Sequence, residues 1–169
     1  MSETFFGKYR GKVTDNRDPL QIGRICASVP DVLGDRASGW AMPCFPAAGA
    51  GMGVFALPKT GAGVWIEFEH GDPDYPIWSG AWYGNVSELP TALLTPPMMQ
   101  DGKIVLRTAG GTMLSLDDTP GTGGISLETA AGQKIKLSAT GIEIDNGLGA
   151  KITLQGPQVS VNDGALDVL

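Results

Sequence analysis

No aromatic residue follows Tyr83 in this 169-residue chain: all four Trp, all five Phe and all three Tyr lie at or before that position. Large rings let a small domain bury much area from few residues. Residues 1–83 therefore read as a self-sufficient fold, and the remainder must be stabilised in another way. Histidine occurs once, as His70, and cysteine twice, as Cys26 and Cys44. The cysteines sit in no CxxC spacing and read as two buried thiols. Charged residues are few, at 18%, and the net charge of −6 is evenly spread. Residues 1–100 carry 7 basic and 10 acidic groups, and residues 101–169 carry 5 and 8. Neither half has the basic footprint that a phosphate backbone requires, which argues against nucleic acid as a partner. The longest apolar stretches run only a few residues, too short for a transmembrane helix. Met1–Phe6 has no basic segment followed by an apolar one, so it does not read as a secretory signal. A hydrophobic content of 42% is enough for a core, which excludes a disordered chain.

What is present is strand and turn. In residues 1–84 short extended segments alternate with Gly/Pro turns, and no helical period stands out. The expected strands are Tyr9–Thr14, Gly23–Val29, Gly39–Pro43, Gly53–Leu57, Gly63–Glu69 and Ile77–Tyr83. Five or six strands in about 80 residues suggest a small closed barrel of the OB kind. Leu89–Gln100 contains Pro90, Pro96 and Pro97 and reads as an extended linker. The expected domains are a barrel over 1–86, a Pro-rich linker over 87–100 and a distinct unit over 101–169.

That last unit carries a repeat. The pairs Ile104/Leu106, Leu114/Leu116, Ile125/Leu127, Ile135/Leu137, Ile142/Ile144, Ile152/Leu154, Val159/Val161 and Leu166/Val168 each flank one residue. Seven of those eight flanked residues are polar, and Gly-rich turns fill the gaps. The pattern is that of short period-2 strands with one apolar face. A buried aliphatic side chain is worth roughly 1.5–3 kcal/mol, yet a single chain this short leaves much of such a face wet and both sheet edges open. Three chains around one axis bury it. Residues 101–169 are thus expected to form a trimeric β-prism whose core is built from those pairs, with stability inseparable from assembly.

The barrel half also resembles a known family. The resemblance rests on Tyr9-Arg-Gly-Lys-Val13, Asp18-Pro19-Leu-Gln-Ile-Gly23-Arg24-Ile25, Val29-Pro30, Trp40-Ala-Met-Pro43 and Ala48-Gly-Ala-Gly51. It continues through Pro58-Lys-Thr-Gly61-Ala-Gly63 to Phe68-Glu-His-Gly71-Asp72-Pro73 and Pro76-Ile-Trp-Ser-Gly80-Ala-Trp82-Tyr83. On these motifs, spanning about 75 residues, the chain resembles the bacteriophage baseplate assembly protein V family, the central spike of contractile tails. That family's OB domain is shared with type VI secretion spike proteins. The resemblance implies an all-β chain: an N-terminal OB-fold barrel followed by a C-terminal intertwined triple-stranded β-helix, or trimeric prism. It implies a homotrimer in the tail baseplate of a virion, assembled in the host bacterial cytoplasm, joined to a tube-side hub and driven into the target cell envelope. No enzymatic activity and no cofactor are implied. Some relatives carry a His-x-His that holds iron near the tip; the lone His70 lies in the barrel half, so a metal-bound apex is not expected here.

Other chemistries fit poorly. Gly49-Ala50-Gly51-Met52-Gly53 is not GxGxxG and no Lys-Ser/Thr follows, so it reads as a barrel loop rather than a phosphate cradle. Glu67, Glu69, Asp72 and Asp74 read as turn and solvent-face carboxylates rather than a glycosidase pair. His70 with Cys44 is a weak nucleophile and base combination. Asp117-Asp118 and Asp145-Asn146 lack the ordered ligand spacing of a calcium loop. The alternative function is an OB-fold module binding single-stranded nucleic acid or oligosaccharide, with Trp40, Trp65, Trp78 and Trp82 as stacking platforms. At the far end, Leu166, Val168 and Leu169 leave an apolar terminus that is expected to dock a separate PAAR-like tip protein.

Overall fold

The computed structural model describes residues 3–94 and 100–168. The chain divides into two compact units, Met1–Glu88 and Leu89–Leu169. No helix among the described residues is long and apolar enough to cross a membrane.

The first unit contains β1 (Tyr9–Asp15), β2 (Cys26–Ser28), a one-turn helix α1 (Pro30–Leu33), β3 (Met42–Pro43), β4 (Ala48–Gly49), β5 (Met52–Gly53), β6 (Gly63–Phe68) and β7 (Pro76–Trp82). Five of the strands form one sheet in the order β2-β1-β6-β7-β3. Bridges Ser28↔Ala37 and Ile25↔Ala41 join β2 to the segment that continues as β3, and β3 runs parallel to β7. The sheet thereby closes on itself. Alternation along each strand decides what faces inward: Val13, Ile25, Ala27, Val29, Val64, Ile66, Phe68 and Trp78 are all buried. The Trp78 indole N–H is satisfied inside by the Gly23 carbonyl at 3.0 Å. Phe5, Tyr9 and Phe68 stack at one end of this core with ring centroids 5.8–6.4 Å apart. Gly63 is required by packing: a Cβ there would lie 2.6 Å from the Trp82 ring.

Three expectations for this unit need correction. Gly53–Leu57 is not a strand; β4 and β5 form a small hairpin instead, with Ala48↔Gly53 and Gly49↔Met52 paired. The Val54 N–H to Ala47 carbonyl bond is the last one of this hairpin, and Phe55–Leu57 continue without strand pairing. The helix α1 was not expected; Pro30 starts it with a preset φ, and Gly34 at φ 59° ends it after one turn. Nor are both cysteines buried: Cys26 is half-buried and Cys44 exposed, and both are free thiols.

The second unit opens with a single 3-10 turn, Thr91–Leu93, where an extended linker was expected; Thr95–Met99 lie outside the described residues. Eight strands follow: β8 (Lys103–Arg107), β9 (Met113–Asp117), β10 (Gly124–Glu128), β11 (Lys134–Ser138), β12 (Gly141–Asp145), β13 (Lys151–Gln155), β14 (Gln158–Val161) and β15 (Leu166–Val168). They form one antiparallel sheet in strict sequence order. Each strand pairs only with its neighbours in the chain, as short Gly-containing connections require. The eight aliphatic pairs of the sequence repeat fall one pair to each strand.

Candidate functional site

The strand register sets those pairs into two files. Ile104 lies opposite Leu116, Leu116 opposite Ile125, and Ile125 opposite Leu137. The file continues through Ile142, Leu154, Val159 and Val168. The second file runs Leu106, Leu114, Leu127, Ile135, Ile144, Ile152, Val161 and Leu166 through the same pairings. Directly opposed residues in adjacent strands have Cβ atoms about 4.5–5.5 Å apart, so each file is a continuous apolar ridge. A one-residue slip between any two strands would send half the ridge to the other face, which is why the register is well specified.

Among the described residues, nothing covers this face. Ile104 and Leu106 are 62% and 65% exposed, and Ile125, Leu127, Ile135, Leu137 and Ile144 range from 41% to 48%. Among the described residues, every buried hydrophobic side chain lies at or before Trp78. The second unit thus has a sheet and no core. A concavity of about 330 Å³ on it is lined by Leu127, Ile135 and Ile144 together with Met113, Lys134 and Asp145. No acid, base or nucleophile is set up for catalysis along the ridges. What the arrangement can do chemically is bury hydrocarbon against an equally apolar surface.

The opposite face carries the charges. Glu143 lies between Lys134 and Lys151, at 2.6 and 2.8 Å, and Lys103 pairs with Asp117 at 3.1 Å. Hydrogen bonds from the two lysines hold the Glu143 carboxyl down at about 2, and bonds from Thr119, followed by Lys103, hold Asp117 at about 2. Both values lie below those of the unfolded chain, so the ionised folded form is favoured. The resulting stability is fully present above the ordinary carboxylate range and is lost as pH falls through the folded values. The unfolding midpoint of this unit is expected to drop between about pH 4.5 and about pH 2. Glu143→Gln should flatten that drop, and guanidinium unfolding across the range measures it.

The barrel residues singled out for other chemistry serve local structure. His70 sits in a 3-10 turn at φ 52°. Glu67 pairs with Lys8 at 2.5 Å, and Asp72 accepts the Asp74 N–H at 3.0 Å within its own turn. Gly49–Gly53 is the β4–β5 hairpin, with no helix after it. Trp78 is in the core, Trp40 stacks with the Arg24 guanidinium at 5.5 Å, and Trp65 and Trp82 share Arg10 at 5.8 and 5.5 Å. In the second unit, Asp145 and Asn146 brace a hairpin loop through backbone N–H groups. No group of three or more His, Cys, Asp or Glu able to hold a metal ion occurs among the described residues.

One polar centre escaped the sequence reading. Asp18 accepts backbone N–H bonds from Leu20, Ile22 and Arg24 at 3.0–3.2 Å, and its Oδ1 takes Nε and Nη2 of Arg24 at 2.9 and 2.7 Å. The Arg24 guanidinium, with the three N–H donors and against the effect of burial, holds this carboxyl well below the usual range. The clamp fixes the loop leading into β2, including Gln21 at φ 55°. The only signal for it was an Asp-Pro with Gly and Arg five and six residues on.

At the C-terminal end Leu166 is 60% exposed on the edge strand β15, Val168 stands in register with Val159, and Leu169 lies outside the described residues. Compared with known protein families, residues 9–83 match the type VI secretion system/phage-baseplate injector OB domain. Residues 103–167 match the phage baseplate V C-terminal trimerisation domain. No curated protein matches the chain.

Proposed function

The chain belongs to the phage baseplate V family and has a structural role in the baseplate of a phage tail or related injector, and from that premise we propose that it is the central spike, joining the tube-side hub to the membrane-piercing tip. Three copies assemble through residues 101–169 into a prism, with a barrel over 1–86 and a connection over 87–100. The single observation that supports this most is the uncovered pair of aliphatic files. In the prism each chain supplies one sheet, and the residues from Ile104/Leu106 to Val159/Val161 form the shared core. Eight strands at about 4.8 Å spacing give a shaft roughly 38 Å long. A sheet closed on two others buries its apolar face and leaves unpaired strand edges only at the two ends of the prism, which suits a rod that must transmit thrust.

At the blunt end Leu166, Val168 and Leu169 of three chains form an apolar platform on which a separate PAAR-like tip protein sits. The assembled particle is then delivered to the target cell envelope, after assembly in the bacterial cytoplasm. Native mass measures the first part: the expected value is three times the 17.6 kDa of one chain, persisting on dilution. A folded monomer would end the proposal. Removing Asp163–Leu169 should abolish copurification of the tip protein while the trimer survives.

A further inference from the structure

Three hairpin loops of the second unit share one length and one closing bond. The connections β8–β9, β10–β11 and β12–β13 are five-residue loops, each closed by the same bond from the N–H of the first residue to the carbonyl of the fifth. These are Thr108 to Thr112 at 2.9 Å, Thr129 to Gln133 at 2.9 Å and Asn146 to Ala150 at 3.0 Å. Because they join alternate strand pairs of a meander, all three lie on one edge of the sheet. The third position of the first loop is Gly110 and of the second Ala131. In the third loop it is Leu148.

Leu148 is 86% exposed, more than any other large hydrophobic side chain among the described residues. The loop that carries it is rigidly built. Asn146 Oδ1 accepts the N–H groups of Leu148 and Ala150 at 2.8 and 2.9 Å, and Asp145 Oδ1 accepts that of Gly147 at 2.7 Å. Gly147, at φ 71°, packs so closely on the neighbouring loop that a Cβ would lie 2.9 Å from the Gly132 carbonyl carbon. The other two loops hold Gly110 and Ala131 at the third position, although their second residues, Ala109 and Ala130, do not take the left-handed conformation of Gly147. In the third loop the bonding at position 148 runs through the backbone N–H and leaves the leucine side chain unused. A fixed leucine projected into water has no local reason to be there.

We propose that Leu148 is an interchain knob, seated against the neighbouring copy at the margin of its aliphatic face. The proposal rests on the trimer reading above and extends its interface beyond the two files. In a closed three-fold assembly the contact is heterologous, so the edge of one chain that carries the five-residue loops meets a different surface of the next. A second copy is the occupant the page supports, since residue 148 lies inside the span matching the trimerisation domain and the uncovered apolar face adjoins it in the same sheet.

The test uses the full chain with p-benzoylphenylalanine at position 148. Native mass is measured first, then the sample is irradiated. The expected result is an interchain adduct whose second peptide comes from residues 101–169 of another copy. A trimer of the expected mass that yields no such adduct overturns this inference and leaves the spike reading standing, whereas a monomer overturns both. In parallel, Leu148→Ser should lower the trimer equilibrium constant about tenfold per chain, hence about a thousandfold overall, and Leu148→Met should not. Guanidinium dissociation at several protein concentrations reads the change, and an unchanged constant for the serine variant also overturns the inference.

Discussion

Ile144→Asp is expected to abolish assembly while leaving the barrel folded. Ile144 stands in the second file between Ile135 and Ile152. In the prism, the substitution places three carboxylates in one dry layer with no counter-charge, a penalty of several kcal/mol per chain. A suitable control is Lys136→Ser. Lys136 is next to Ile135 in sequence but points to the polar face, between Ser126 and Glu143, and its Nζ makes only a 3.3 Å bond to the Thr122 carbonyl. Its loss should cost no more than about 0.5 kcal/mol. Because all four Trp lie at or before Trp82, their fluorescence reports the barrel alone, and sedimentation reports the trimer. Equal loss of trimer in both variants would show that the two faces have been assigned the wrong way round.

Gly141→Ala should be nearly as damaging, for a backbone reason. Gly141 opens β12 at φ 142°, and a Cβ there would lie 2.0 Å from the Leu154 carbonyl oxygen of the adjoining strand. Gly124, at φ 134°, stands in the same relation to Leu137 at 1.9 Å. Neither contact can be relieved by turning a side chain, so a strand must move out of register, at a cost on the order of 3 kcal/mol or more per chain. Gly156→Ala is the comparison. Gly156 also has positive φ, 56°, but nothing lies within 4 Å of its Cβ position, so only about 1–2 kcal/mol of left-handed strain applies. Thermal unfolding followed by far-ultraviolet circular dichroism separates the two. If both variants melt alike, the β12–β13 pairing is not as described.

The second unit was the more legible half of the sequence because its signal is purely periodic. An aliphatic pair around one residue, repeated between glycine turns, leaves only one way to lay a strand, and all eight strands occur where the pairs are. The barrel was read less well where structure depends on long-range or side-chain-to-backbone bonding. Gly53–Leu57 has strand-like composition, but only its first residues pair, with the short segment Ala47–Gly49, and that partner is too short to carry a strand through Leu57. The single turn of α1 is too short to establish a helical period. The Asp18–Arg24 clamp depends on a carboxylate meeting three N–H groups of a loop, which no spacing rule announces. Leu148 lies between two glycines of a turn, and sequence alone does not show that its loop is closed by the same bond as two others that hold Gly110 and Ala131 at the third position.

The strict neighbour-to-neighbour pairing of β8 through β15 makes shaft length an additive quantity. No strand is pinned by a distant partner, so one hairpin inserted or deleted between Gly-containing turns moves the end by two strand spacings, about 10 Å, and restores both the strand direction and the two files. An odd number of strands would not, because the final strand would then run the other way. Reach can therefore change in discrete steps through duplication or loss of some twenty residues without redesign of the barrel, a molecular ruler graduated in hairpins.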